Sequence, residues 1–508
     1  SPRRATAIGR HSHVGRSLAL FATHLPMVGS ARQAGCPGGL EMARVFWFRR
    51  DLRLNDNPAL NAAIHGSVDD GDSKVAAVYA LDLDYFYGLS GIRQHSLNAS
   101  LDALGESLGR MLAIRHASVA SGITVASALV AVSLKAGAKT VHASRAFDPA
   151  GMAEQNAVGL ALAKAGVFLE LTGSYYAVDP GAVAKPDGSA YKVYTPYFKR
   201  WFELGWSKPE ALAAVGHSWL IAEPCQGRPE PSKDSPFEIK AGEAYALRTW
   251  ERFKKRALFN YDEMRNRADV SGTSHLSHAL AFGEIHPRTL LAELADSPGH
   301  NVFRKEIAWR EFYADALWRN PHTTTEYYEP RFADMRYDTG SEAEAKFEAW
   351  KQGKTGYPMV DAGMRQLLAD GWVHNRVRMI VASFLVKDLH LEWQLGAAWF
   401  EENLTDFDPA SNAHGWQWTA GCGTDASPYY RVFNPILQGY KFDPRGDYVR
   451  KYVPELAHIW DDGIHEPWNR LDGLVHGYPA PIVDHSVERD EALARLAEIK
   501  VIKAEFPG

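Results

Sequence analysis

Between residue 43 and about residue 176, short β-branched runs at 45–48, 75–81 and 139–143 alternate with helical stretches such as 94–112. A chain that re-enters one sheet in parallel needs a crossover, and a helix is the usual one. The alternation therefore predicts βαβ units and a parallel sheet covered by helices. Such sheets bind ligands beyond the carboxyl ends of their strands. The first strand runs into Arg49-Arg50-Asp51-Leu52-Arg53-Leu54-Asn55-Asp56-Asn57-Pro58, where Asn57-Pro58 has the cap-then-proline order of a helix start. No GxGxxG fingerprint follows. Pro224, Pro229, Pro231 and Pro236 then interrupt any regular element, and beyond residue 242 helical spacing dominates, with proline-free spans at 304–317, 363–369 and 372–400. The predicted layout is a leader (1–41), an α/β domain (42–176), a connector (177–242) and an all-helical domain (243–508).

Composition narrows the class. Cys36, Cys225 and Cys422 are the only cysteines, too few for a bridge framework or a thiolate metal cluster, which points to a reducing compartment. The formal charge is −5, which by itself argues against a sequence-wide affinity for nucleic acid. That figure is uneven: residues 1–41 hold five arginines and one acid, leaving −9 for the rest. An Arg-rich, acid-poor start has the composition of an organellar transit peptide, but Met42 opens the strand pattern, and we read 1–41 as an extension outside the fold. Residues 117–134 are uncharged yet hold four serines, a threonine and a glycine, so they fit a buried strand and helix better than a membrane span. Fourteen of the fifteen tryptophans lie after residue 200, which predicts a helical core rich in bulky packing.

Several chemical motifs fail on spacing. Gly353-Lys354-Thr355 lacks the glycine a phosphate loop needs, because Glu348 stands there. His275 and His278 share a helical face but have no third ligand at a tetrahedral spacing, which predicts a surface or packing role. The informative stretch is 261–408. Trp372, Asn375 and Met379 stand at i, i+3 and i+7, and Glu306, Trp309 and Tyr313 repeat that spacing, so each set would share one helical face. A buried amide or carboxylate needs partners, so these faces are either satisfied internal networks or ligand edges. If 409–420 is helical, Trp416 and Trp418 point about 200° apart and serve different surfaces.

Thr273-Ser274-His275-Leu276-Ser277, Trp309-Arg310-Glu311-Phe312-Tyr313, Thr355-Gly356-Tyr357-Pro358, His374-Asn375-Arg376 and Trp416-Gln417-Trp418 occur in this order. Through these blocks residues 42–508 resemble the cryptochrome/photolyase family, most closely the class I photolyases that act on cyclobutane pyrimidine dimers. The resemblance implies a Rossmann-like α/β domain able to hold an antenna chromophore, methenyltetrahydrofolate or 8-hydroxy-5-deazaflavin, and a helical domain that binds FAD beneath a DNA-facing cavity. Trp47, Arg50 and Asn55 do not choose between the antennas. The implied activity is that of a carbon–carbon lyase: light drives an electron from reduced FAD to a dimer in UV-damaged DNA, the ring splits, and the electron returns.

The resemblance also implies residue roles. Tyr261, Thr273, Ser274, Leu276 and Ser277 match the FAD phosphate segment, and Arg310, Trp372, Asn375, Arg378, Asp406, Asp408 and Asn412 match the rest of the FAD shell. Trp309 and Trp418 would stack on a flipped-out dimer, with Glu306 at its base edge and Asn375 and Met379 completing the cavity. Met379 favours a cyclobutane dimer over a (6-4) photoproduct. Arg265, Arg376 and Arg431 match positions that contact DNA phosphates, joined by Glu306, Trp309 and Trp418 at the lesion. Trp416 and Trp393 match the inner members of an electron-transfer chain, whose outer position falls on Arg336-Tyr337-Asp338 and offers Tyr337 instead of tryptophan. His275 and His278 replace the family's usual arginine and proline. A monomer in the cytoplasm, bound to DNA and not to membrane, is expected, or an organellar one if the leader is a transit peptide. The alternative is a cryptochrome-like blue-light photoreceptor without repair activity.

Overall fold

The computed structural model describes residues 43–222, 225–235, 237–425 and 430–505. The leader at 1–41, Pro224 and Pro236 lie outside the described residues. The described residues form one compact unit.

Among the described residues, six parallel strands build the sheet: β1 (Arg44–Phe48), β2 (Lys74–Asp82), β3 (Ala113–Ala117), β4 (Thr140–Arg145), β5 (Phe168–Ser174) and β6 (Ser218–Leu220). The main order is β3-β2-β1-β4-β5. Val45, Phe46, Trp47 and Phe48 of β1 are all buried, as expected of a central strand covered on both faces. Asn57 caps the first crossover helix, Pro58–Asp69, its side chain accepting from the Leu60 N–H. The connector is not free of the sheet. Its strand β6 pairs with residues 74–76 of β2, while β3 takes residues 78–82 of the same edge.

The helical part is broken where backbone chemistry breaks it. The span at 372–400 is two helices, Asn375–Lys387 and Trp393–Asn403. Gly371, at φ 60°, ends helix Pro358–Asp370, and the His374 side chain accepts from the Arg376 N–H to start the next. Trp372 therefore precedes the helix and shares no face with Asn375 and Met379. His390, at φ 55°, makes the second break. Helix Pro298–Arg319 does carry Glu306, Trp309 and Tyr313 together, and helix Pro409–Ala420 carries both Trp416 and Trp418. The two parts are bolted together by Arg50, just past β1. Its guanidinium sits 2.5 Å from Asp408, whose other oxygen caps helix Pro409–Ala420 through the Ser411 N–H.

Candidate functional site

Helices Pro298–Arg319, Asn375–Lys387 and Pro409–Ala420 enclose a cavity of about 460 Å³, within the range of ligand sites, roughly 300–1,000 Å³. Glu306, Trp309, Arg310, Asn375, Arg378, Met379, Asp406, Asp408, Asn412, Trp416 and Trp418 all line it, as do Tyr261, Ser274, Ser277, Arg265 and Arg376. Residues up to 157 apart in sequence thus meet in one space.

At its inner wall, Arg378 donates to Asp406 at 2.7 Å and to the Val373 carbonyl at 2.8 Å. The other Asp406 oxygen is buried with no partner among the described residues, which leaves an acceptor for a ligand N–H. Asn412 donates its amide to the Ala397 carbonyl at 3.0 Å, which leaves its own oxygen free. Ser274 and Ser277 present hydroxyls from the turn and first residue of helix Ser277–Phe282. Two guanidinium groups, an unpaired acceptor and hydroxyls around a cavity of this size fit a flavin dinucleotide.

Some expected residues sit elsewhere. Thr273, Leu276 and Trp372 do not line the cavity. Trp372 instead donates its indole N–H to the Ser277 hydroxyl at 3.1 Å, holding the turn from behind. Asp408 lies on the wall, but Arg50 and the Ser411 N–H engage its two oxygens, and this pairing holds its carboxyl well below the ordinary range despite burial. Arg431 is exposed and away from the cavity, its carbonyl accepting from Lys387. His275 packs on the Trp372 ring at 4.5 Å, and His278 sits 3.2 Å from the Thr405 carbonyl and 3.8 Å from the buried Glu284.

The Arg50–Asp408 pair yields a test. A depressed carboxylate contributes stability that is present above its unfolded pKa, about 4, and lost as pH falls toward the folded value. Arg50→Ala should therefore cost about 3 kcal/mol near neutrality, with the difference from wild type shrinking below pH 4. Urea unfolding at pH 7 and pH 3 measures it, and an equal difference at both would refute the pairing as the cause.

The outer part is aromatic and basic. Tyr194, from helix Tyr194–Leu204, stacks flat on Trp309 at 3.7 Å and 8°, so one face of that indole is already covered. No sequence signal pairs them across 115 positions. Trp418 lines the cavity, and its indole N–H has no acceptor among the described residues. Glu306 lies 2.5 Å from Arg265, yet burial outweighs the pairing and pushes its carboxyl above the usual range. Arg376 donates to Asn266, and its burial, followed by the like charge of Arg265, lowers its pKa. Two cations lining one cavity suit an anion there.

A second cavity, about 720 Å³, lies past the carboxyl ends of β1 and β2, against the helical part. Trp47, Arg49, Arg50, Tyr79, Tyr85 and Tyr175 form much of its wall, and Trp393 borders it. Asn55 is not there, because its amide is bonded to Glu243.

Residues 44–214 match the DNA photolyase family, and residues 303–498 match the FAD binding domain of DNA photolyase. The chain belongs to the DNA photolyase family. The deoxyribodipyrimidine photo-lyase of Agrobacterium fabrum is 39% identical over 488 residues, spanning 90% of this chain and 98% of that protein. The crystal structure of a class III photolyase from Agrobacterium tumefaciens aligns with a TM-score of 0.80 and 36% identity over 92% of this chain and 100% of that one. An archaeal photolyase from Sulfolobus tokodaii, described with two FAD molecules and a novel light-harvesting cofactor, aligns at 0.76 and 26% identity over 90% and 100%.

Proposed function

We propose that this protein is a deoxyribodipyrimidine photo-lyase, which uses light to split cyclobutane pyrimidine dimers in UV-damaged DNA. The observation that carries this reading is the 460 Å³ cavity in which Trp309, Trp418 and the raised Glu306 carboxyl share one space with the Arg378–Asp406 pair. FAD, when bound, supplies a photoexcitable one-electron donor. The protein's own groups bind and orient. Ser274, Ser277, Arg310, Arg378, Asp406 and Asn412 would hold the cofactor, with Arg378 favouring a reduced, negatively charged ring. A damaged step unstacks cheaply, and Trp309 and Trp418 offer aromatic surface to the extruded bases while Met379 and Asn375 fill the remaining edge. Arg265 and Arg376 meet phosphate, which explains why a net charge of −5 does not oppose DNA binding: the contact is local.

The second cavity suits a flat antenna chromophore among Trp47, Tyr79, Tyr85 and Tyr175. No described helix is long and apolar enough to cross a membrane. The scarcity of cysteine, with Cys225 a free exposed thiol, supports a reducing compartment, and we read the protein as a cytoplasmic monomer acting on DNA.

Glu306 needs its proton to donate to a dimer carbonyl. Its raised pKa keeps that proton to higher pH than an ordinary glutamate, and raising pH further must remove it. Dimer repair should fall as pH rises through the Glu306 pKa, and Glu306→Gln, which keeps a donor, should flatten that fall. A Gln variant with the wild-type pH profile would remove Glu306 from this role.

The function itself is tested with UV-irradiated plasmid. Dimers should disappear under blue light with the flavin-loaded protein and persist in darkness, and (6-4) photoproducts should persist in both. Persistence of dimers under light would contradict repair and leave a photoreceptor as the reading.

A further inference from the structure

The electron-transfer chain expected from sequence lacks a tryptophan at its outer end, and Tyr337 stood in for it. The structure puts another residue first. Trp393 is 1% exposed, and its buried indole nitrogen has no acceptor among the described residues, so no described group stands ready to take a proton from a hole arriving there. Beside it stands Tyr327, edge-on at 6.2 Å between ring centroids and 7% exposed. The Tyr327 hydroxyl donates to Glu392 at 3.3 Å. Glu392 is solvent-exposed and immediately precedes Trp393, at the cap of helix Trp393–Asn403. Tyr337 lies beyond Tyr327, nearly parallel at 6.4 Å. It is second in line.

We propose that Tyr327 is the terminal electron donor of this chain and that Glu392 takes its proton. The inference rests on the flavin-repair reading above. In the step, the Trp393 radical cation is reduced to neutral tryptophan by one electron from Tyr327. The phenol O–H breaks, its proton bonds to the Glu392 carboxylate, and a neutral tyrosyl radical remains. The oxidant that starts the sequence is a photoexcited oxidised flavin acting through Trp416 and then Trp393. Charge balances locally: a cation and an anion on one side become neutral groups on the other. Because Tyr327 is largely buried, that balance matters, since an unpaired charge left in low dielectric is costly. The exposed carboxylate then passes the proton to water.

Position supports the order. Gly396, one turn on from Trp393, lies under the Trp416 ring, so helix Trp393–Asn403 presents that face to the inner tryptophan. Trp416 also touches Trp350 at 6.1 Å, which opens a second exit. The Trp350 indole N–H, however, is donated to the Val381 carbonyl, a group that cannot take up a proton at neutral pH. Among the described residues, the Tyr327 branch is the one that leads from Trp393 to a hydrogen-bonded carboxylate.

The test uses the full chain loaded with oxidised FAD, excited by a blue pulse and followed by transient absorption and electron paramagnetic resonance. Wild type should give a long-lived tyrosyl radical that forms more slowly in D₂O than in H₂O. Tyr327→Phe should replace it with a tryptophanyl radical that recombines at least about tenfold faster, a change of 1.4 kcal/mol in barrier. Tyr337→Phe should retain the tyrosyl signal, and Glu392→Gln should slow its formation and diminish the solvent isotope effect. A tyrosyl radical that survives Tyr327→Phe but not Tyr337→Phe would overturn the proposal, as would a terminal tryptophanyl radical in wild type. Repair by wild-type protein with chemically reduced flavin separates the two readings. Repair without a tyrosyl radical defeats this proposal alone, whereas no repair defeats the function on which it rests.

Discussion

Arg378→Ala is expected to yield protein that purifies without flavin. Asp406, its partner, has a side chain only 1% exposed and already carries one oxygen with no partner among the described residues. Removing the guanidinium leaves a buried carboxylate with neither charge nor donor beside it, a change that typically costs about 3–5 kcal/mol. At 1.4 kcal/mol per decade, a loss of about 3 kcal/mol from binding corresponds to a more than roughly hundredfold weaker flavin affinity. The flavin absorbance per protein after gel filtration reads it directly. Arg378→Lys provides the control for charge alone, because lysine cannot reach both the Val373 carbonyl and the carboxylate with a planar fork. It should rescue only part of the binding. Full flavin content in the alanine variant would mean that the cofactor is held elsewhere.

The second large effect concerns the lesion. Trp309→Ala should weaken binding to a dimer-containing oligonucleotide by about 1–3 kcal/mol, the usual worth of one base–aromatic stack, or roughly 5- to 150-fold. Affinity for undamaged DNA should change little, because Arg265 and Arg376 supply that part. Tyr194 makes the prediction sharper. Its ring backs Trp309 at 3.7 Å and its hydroxyl donates to the Lys305 carbonyl at 2.7 Å, so it fixes the plane of the stacking surface. Tyr194→Phe should retain most of the binding, and Tyr194→Ala should lose part of the Trp309 effect. Fluorescence anisotropy with matched damaged and undamaged duplexes measures both. Equal losses on the two duplexes would point to a general packing defect instead of lesion stacking.

Local pattern was readable where one element decided it. The buried run at 45–48 is β1, the Asn57-Pro58 start is a helix cap, and the spacing of Glu306, Trp309 and Tyr313 does place them along one helix. The failures have physical reasons. Strand β3 reads Ala-Ile-Arg-His-Ala, and its Arg115 and His116 break the apolar run. Strand β6 is three residues in a proline-rich connector and exists because the open edge of β2 accepts it. Trp372 looked helical because spacing alone does not reveal that Gly371 and His374 end one helix and begin another.

The site divides the same way. Four of the five blocks contribute cavity-lining residues (Ser274 and Ser277, Trp309 and Arg310, Asn375 and Arg376, Trp416 and Trp418), whereas Thr355-Gly356-Tyr357-Pro358 contributes none. What no block could supply is pairing across the chain. Arg50 with Asp408, Tyr194 with Trp309 and Tyr327 with Trp393 join distant segments, and only the fold brings them together. Tyr337 was legible from its place in the sequence, but its distance from Trp393 was not. Net charge was the least informative quantity, since it does not reveal that Arg265 and Arg376 stand together at one cavity.

The central claim is that flavin and lesion meet in the cavity between helices Pro298–Arg319, Asn375–Lys387 and Pro409–Ala420. A crystal structure of the FAD-loaded protein with a duplex containing one thymine dimer tests it most directly. The account predicts the dimer extruded from the duplex between Trp309 and Trp418, with Glu306 at its base edge, Asp406 on the flavin ring, and phosphates on Arg265 and Arg376. A dimer left stacked in the duplex, or a flavin seated away from Asp406, would contradict it.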